Sequence, residues 1–351
     1  MTASSATLRS ESAPVVGKGG LIRVSSGTAI CLGLRRGALA AKPTTAYLLT
    51  YTGGKCLANC AFCSQARESS SEAEMLSRVK WPLYPLDSVL ERIAAAAEEG
   101  TIRRVCVQAL EYPGVSQGLA ELVGAIRSIS DLPLSVSCPP LSRDEMSRLS
   151  KLGVERIAVS LDAATEELFD SLKGSQVGCS RTWEDYLETL REAIACFGRG
   201  KVVVHLIAGL GETEQQMLSL IQEVVDMGAQ PALFAFTPLP GTRLEGTAPP
   251  RVESYRRVQL GQSLMTGGHS RYWEMRFDEE GSLVDAGTSI DVLNALVSEG
   301  SPFMTSGCPA CNRPYYNEEP LGPMYNYPKA LTPEDRAQVR RQLASLLQGG
   351  S

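Results

Sequence analysis

Residues 54–67 read GKCLANCAFCSQAR and place Cys56, Cys60 and Cys63 in one short segment with the spacing C-x3-C-x2-C. Three thiolates from one loop can hold three corners of a 4Fe–4S cluster and leave one iron open to a further ligand. Glycines at 53 and 54 let the backbone approach such a body without Cβ clashes. The plainer alternatives are a zinc knuckle or three incidental buried thiols. Zinc knuckles usually add a second pair to a C-x2-C, and this loop has none. Another constellation lies near the C-terminus, where FMTSGCPACNRPYYNEEPLGPMYNYP (303–328) carries Cys308 and Cys311 as C-x2-C among prolines and glycines. Apolar packing does not call for that composition; a ligand-bearing loop folded back over a barrel mouth does. Read alone, the pair also suits a zinc half-site or a redox dithiol.

The rest of the composition narrows the class. The chain has 351 residues, 43% apolar and 21% charged, with a net charge of −5. That describes an ordinary globular protein with no basic patch for nucleic acid or an anionic membrane. The start, MTASSATLRSESAPVVGKGG, is polar and Ser-rich rather than signal-like, and no 18-residue apolar run suggests a span. The expected location is cytoplasmic. Ten cysteines there point to metal or redox chemistry rather than disulfides, and with only two histidines, His205 and His269, an iron–sulfur site has more candidate ligands than a mixed zinc site.

Elements able to position these loops follow from residue 47 onward. Expected strands are 47–53, 103–110, 132–138, 156–162, 202–209 and 232–239. Expected helices are 88–100, 118–130, 142–153, 182–197, 212–228 and one within 251–265. Six strand–helix units with apolar Val-, Ile- and Leu-rich strands predict an α/β fold, a full or partial (β/α) TIM-type barrel; an open doubly wound sheet is the alternative. In both, ligands gather where the strands end, and the cysteine loop follows the first expected strand directly. The expected organisation is an N-terminal extension over 1–44, with a loose tail at 1–18, a barrel core over 45–285, and a C-terminal extension over 286–351.

The cysteine loop, with Phe62 just before its last cysteine, resembles the radical S-adenosylmethionine (SAM) superfamily. The resemblance implies that the open iron binds the amino and carboxylate groups of SAM, and that one electron from the cluster yields methionine and a 5′-deoxyadenosyl radical. Further segments are similar to the biotin synthase-like branch over about residues 45–245. In SLDAATEELFD (160–170), Ser160 and Asp162 match the polar pair facing SAM and substrate. In SRTWEDYLETL (180–190), Arg181 matches the arginine that pairs with the SAM carboxylate, a job suited to its planar fork. AGLGET (208–213), with Gly209, Gly211 and Glu212, matches a glycine-rich stretch near the adenine; as a lone signal it equally suits a plain strand-to-helix turn.

Cys106 and Cys138 fall near positions where biotin synthase ligates a second cluster, but His205 stands at the third, so that set is broken. Cysteines in apolar strands are more often core residues. The 303–328 segment resembles the C-terminal signature of two-component lipoyl synthases. This implies sulfur insertion at C6 and C8 of an octanoyl chain on a lysine of a lipoyl-carrier protein. It further implies a sacrificial auxiliary 4Fe–4S cluster, a related second subunit, and an electron donor such as ferredoxin or flavodoxin. Cys308 and Cys311 are then the catalytic sulfur-holding pair. Cys31, in SSGTAICLGL, is the expected third ligand and Ser306 a non-cysteine one, and the two cysteine loops are expected to meet at the barrel mouth. Cys179 and Cys196 read as structural. Tyr315, Tyr316, Asn317, Tyr325 and Tyr327 suit an acyl-lysine channel or loop packing equally. The alternative function is another branch member, like methylornithine synthase or a hydrogenase-cofactor maturase; a zinc-binding scaffold is more distant. Iron content separates them: about eight irons per chain for two clusters, about four for one.

Overall fold

The computed structural model describes residues 20–318 and 322–348; the expected loose tail at 1–18 lies outside them. Eight strands form the main sheet: β1 (Leu21–Val24), β2 (Thr45–Leu49), β3 (Leu83–Pro85), β4 (Arg104–Gln108), β5 (Leu134–Cys138), β6 (Arg156–Asp162), β7 (Val202–Ala208) and β8 (Gln230–Ala235). Their order is β8-β7-β6-β5-β4-β2-β1-β3. The six strands from β2 and β4 to β8 run parallel in chain order. β1, which falls within the expected N-terminal extension, joins the sheet antiparallel to β2 and β3. The two edges do not pair, so among the described residues the sheet is a partial barrel.

Helices follow each parallel strand: α1 (Ser26–Cys31) precedes β2, then come α2 (Leu86–Glu98), α3 (Val115–Arg127), α4 (Arg143–Lys151), α5 (Glu166–Leu172), α6 (Trp183–Phe197), α7 (Glu214–Met227) and α8 (Val252–Gly267). Sequence fixes several of their starts. Ser142 with Glu145, Thr182 with Asp185, and Thr213 with Gln216 form capping boxes that satisfy two otherwise unpaired backbone donors each.

Strand alternation divides the sheet into an outer and an inner face. Ala46, Leu48, Val105, Val107, Leu134, Val136, Ile157, Val159, Val202 and Val204 are buried in the main core with the helices. The alternate residues, among them Tyr47, Cys106, Gln108, Ser135, Ser137, Ser160 and His205, line an inner chamber. Period-2 geometry therefore separates the two strand cysteines. Cys138 shares the phase of Val136 and packs in the main core, and at the strand's end it also reaches the chamber lining. Cys106 shares the phase of Gln108 and faces the chamber.

The C-terminal segment closes one end. Thr305 N–H donates to Tyr327 O and Tyr327 N–H to Phe303 O, pinching off residues 305–318 as a plug. The buried guanidinium of Arg256 fixes the returning chain by donating to the carbonyls of Met324 and Tyr325. The plug's end reaches the mouth side, where Ser77 Oγ donates to Tyr316 O at 2.5 Å and Thr237 Oγ1 to Asn317 O at 3.4 Å, but its cysteines do not. The stretch that carries them enters the floor, where the strands begin: Arg104 Nε donates to Pro309 O at 3.0 Å, Thr44 N–H to Asn312 Oδ1 at 3.1 Å, and Leu233 N–H to Ser306 Oγ at 2.9 Å. The plug's carbonyl and side-chain oxygens satisfy donors that the sheet leaves unpaired there: a backbone N–H before β2, the Arg104 side chain and a backbone N–H on the edge strand β8.

Candidate metal-cluster and cofactor site

The cysteine loop leaves β2 and is held by its own buried polar side chains. Asn59 Nδ2 donates to Val177 O (2.8 Å), Ser64 Oγ to Met75 O (2.7 Å), and Gln65 Nε2 to Ala73 O (2.9 Å). Lys55 Nζ ties Ser64 O and Ser71 O at 3.1 and 3.0 Å. With its polar groups satisfied from behind, the loop presents Cys56, Cys60, Phe62 and Cys63 to the chamber. Cys56 Sγ accepts from Glu111 N–H at 3.1 Å. Burial pushes the Cys60 thiol well above its ordinary pKa and Cys63 up to about 11. Such thiols become thiolates only when a strong cationic partner is supplied, as a metal cluster supplies it.

Among the described residues, no three His, Cys, Asp or Glu side chains gather into a single-ion site. The three thiols all line the chamber and are unbridged. Three thiol donors from one loop, with no histidine among them, suit an iron–sulfur cluster.

Beside them lies a charged pair. Asp162 ends β6 at a register shift and has φ +68, a left-handed conformation unfavourable for a residue with a Cβ. Lys173 Nζ holds its carboxylate at 2.6 Å, also bonds Ser160 O, and stands 4.4 Å from the centroid of the Tyr186 ring. Burial alone would lower the Lys173 pKa; the Asp162 carboxylate, with Tyr186 and Cys60, more than offsets this and raises it. Sequence reasoning missed Lys173, since a lysine after α5 carries no motif. Ser160 Oγ lies 3.2 Å from His205 Nδ1, and burial, reinforced by Arg313 and Lys173, lowers the His205 pKa to about 3, keeping it neutral.

Other expected cofactor contacts fall at the rim or outside the chamber. Arg181 is half-buried, 3.8 Å from the Glu111 carboxylate, and Glu111 does line the chamber. Gly209 and Gly211 have φ +102 and +120, and Glu212 folds back to accept from Gly209 and Leu210 N–H at 2.6 and 2.9 Å. Burial raises the Glu212 pKa, opposed by these backbone bonds. The three residues thus build the turn into α7, the plain alternative weighed above.

At the floor, Cys308 Sγ lies 3.3 Å from Ser135 Oγ, and Cys311 Sγ 3.3 Å from Tyr47 Oη. Burial, then the neighbouring Cys308 and Cys311 thiolates, pushes Cys106 well above the usual thiol range, and burial raises Cys308. Cys31, the expected third ligand, ends α1 and packs half-buried against the outer core; it does not line the chamber. Cys106 instead faces the chamber near Cys308 and Cys311, because strand phase turns it inward. Ser306 lines the chamber but is engaged with the β8 backbone. Tyr316 and Asn317 line the chamber as well, whereas Tyr325 and Tyr327 are buried in the outer core, the packing alternative of the two. Cys179 accepts from Asn59 N–H at 3.2 Å, and Cys196 lies on α6 near Arg143 O, both structural positions.

The two thiol sets thus face one chamber of about 310 Å³, from its mouth and from its floor. A partial (β/α) barrel with three unbridged thiols on the loop after its first parallel strand defines a cluster-dependent enzyme class, and residues 50–224 match the family described as the Radical SAM superfamily. The chain belongs to that superfamily, whose members use a 4Fe–4S cluster and SAM. Within it the chain is similar to biotin synthases: 30% identical over 234 residues to that of Brucella anthropi (64% of each chain), and 25% over 234 residues to that of Prochlorococcus marinus (63% of this chain, 64% of that one). The aligned stretch therefore spans less than two thirds of those enzymes. Among solved structures, methylornithine synthase superposes with a TM-score of 0.50 over 68% of each chain at 14% identity, a likeness of fold. Among the described residues, no helix is long and apolar enough to cross a membrane.

Proposed function

We propose that the chain is a sulfur-inserting radical SAM enzyme of the lipoyl synthase type. In this reading it acts on an octanoyl chain carried by a protein lysine, at C6 or C8, together with a related second subunit and a low-potential electron donor. The observation that carries the reading is the pairing of two thiol sets across one chamber, Cys56, Cys60 and Cys63 at the mouth and Cys106, Cys308 and Cys311 at the floor.

Replacing C–H by C–S on a saturated chain needs a strong hydrogen abstractor and a sulfur atom held close by. When bound, the cluster and SAM supply the carbon radical, and an auxiliary cluster supplies the sulfur. The residues do the rest. Cys56, Cys60 and Cys63 hold the first cluster, and Lys173 fixes Asp162 beside it for contacts to SAM or substrate. Arg181 at the rim is the proposed partner of the SAM carboxylate. Leu49, Val203, Ile207 and Phe234 give the chamber apolar walls that suit an alkyl chain and exclude water from a radical site. Cys106, Cys308 and Cys311 hold sulfur at the far end.

The test uses anaerobically reconstituted protein and an octanoyl-lysine peptide. In Cys308→Ala/Cys311→Ala, iron should fall by about half of the roughly eight expected for two clusters, 5′-deoxyadenosine should still form, and no thiolated peptide should appear. Cys106→Ala should behave alike, while Cys31→Ala retains product. A double variant that keeps all its iron and still thiolates the peptide would refute the reading.

A further inference from the structure

The plug has an outer side too. Below the floor lies a depression of about 770 Å³, and Ser306, Gly307, Cys308 and Cys311 line both it and the inner chamber. The segment carrying the thiol pair is therefore a partition between the chamber and the outside. Charges on the outer lining are of one sign. Lys42, Arg103 and Lys329 are its charged residues, all exposed, with no Asp or Glu beside them. None of the three has an ion-pair partner among the described residues. This stands out in a chain of net charge −5. Unpaired cations around a concave wall focus a positive potential and concentrate small anions there. What they surround here is a thiol pair.

We propose that the depression is an inlet for anionic inorganic sulfur, hydrosulfide, to Cys308 and Cys311, separate from the mouth where Cys56, Cys60 and Cys63 stand. The inference rests on the reading of Cys308 and Cys311 as sulfur holders. It has a functional logic, because a sulfur site consumed in turnover can then be resupplied without passing the cofactor and acyl chain that fill the mouth.

The first measurement needs no turnover. Full-length apo protein, reduced and anaerobic, is alkylated with iodoacetate or with neutral iodoacetamide, and each cysteine is followed by peptide mass spectrometry. The ratio of the two rates cancels the ionisation of the thiol and reports the local potential. In Lys42→Glu/Arg103→Glu/Lys329→Glu the ratio at Cys308 and Cys311 should fall about tenfold, with Cys196 unchanged, and added salt should lower the wild-type ratio. Ala40→Trp, which fills the depression from an exposed lining position, should slow both reagents. The second measurement uses a Cys56→Ala/Cys60→Ala/Cys63→Ala background, which removes the mouth set and leaves the floor thiols, with Cys31, Cys138, Cys179 and Cys196, to take up iron and sulfide. Reversing the three charges should slow sulfide uptake by a similar factor and leave its end point unchanged. Equal reagent ratios with both linings, or labelling indifferent to Ala40→Trp, would overturn the inlet. A background that takes up as much iron and sulfide without Cys308 and Cys311 would overturn the sulfur-holding reading instead, so the two failures are distinct.

Discussion

At the scale of single residues, Lys173 and Asp162 are the most constrained pair. Both are nearly fully buried, Asp162 sits at positive φ, and the ammonium is the partner that neutralises its carboxylate. Breaking a buried ion pair from one side leaves an uncompensated charge, which costs about 3–5 kcal/mol. Lys173→Met should therefore lower unfolding stability by about that much, measured by urea denaturation of apo protein. Lys173→Met/Asp162→Asn should recover most of it, because the stranded charge is gone. A double variant as unstable as the single one would mean that the lysine acts through packing on Tyr186 rather than through charge. None of this was legible beforehand. The sequence marks Asp162 through its motif, but the lysine that holds it comes from the chain after α5, and only the fold brings the two together.

Among elements, the plug decides what the floor can do. Gly307 has φ +113, and a Cβ there would stand 3.1 Å from the Ala232 Cβ and 3.8 Å from the Val203 Cγ1. A β-branched side chain meets both the backbone conformation and the two strands. Gly307→Val should cost about 1–3 kcal/mol and dislodge the neighbouring Cys308. It should be read as a lowered unfolding midpoint together with loss of floor-held iron, while iron at the mouth loop is kept. A variant with normal iron at both ends would show that the plug tolerates the shift. The elements themselves were largely readable. β6 spans the very residues expected, and α2 to α4 and α6 to α8 fall within a few residues of their expected bounds, because long helical stretches, with Ser or Thr caps at α4, α6 and α7, and strands of Val and Ile leave little ambiguity. β1, four residues of LIRV, and β3, three residues, were missed, since so short a run has no measurable period. Phase, had it been applied, marks Cys106 as inward without a structure, through Gln108, and gives Cys138 the core phase of Val136, although its place at the end of β5 still brings it to the chamber lining. Cys31 was chosen by elimination, and elimination carries no phase.

For the whole molecule, the same sheet serves two ends. Strand ends present the cofactor loop, as parallel α/β folds do, and strand starts accept a segment from the far end of the chain. The plug contacts Thr44 through Asn312, a separation of 268 residues. Its socket is made of Thr44, Arg104, Ser135, Val203 and Ala232, which come from five different strands or their edges. No subset of the chain offers that socket until those strands have paired. The order of assembly follows. Neighbouring βα units close loops of tens of residues and can form early, whereas the plug waits for a loop of 268 residues between Thr44 and Asn312. In refolding followed by pulsed hydrogen exchange, the amides of Ile157 and Val204 should gain protection before those of Thr44 and Arg313. Simultaneous protection would mean that the plug helps to nucleate the sheet. If it docks last, every newly made chain passes through a stage in which the barrel is complete but bottomless, with Cys106 open to solvent from below.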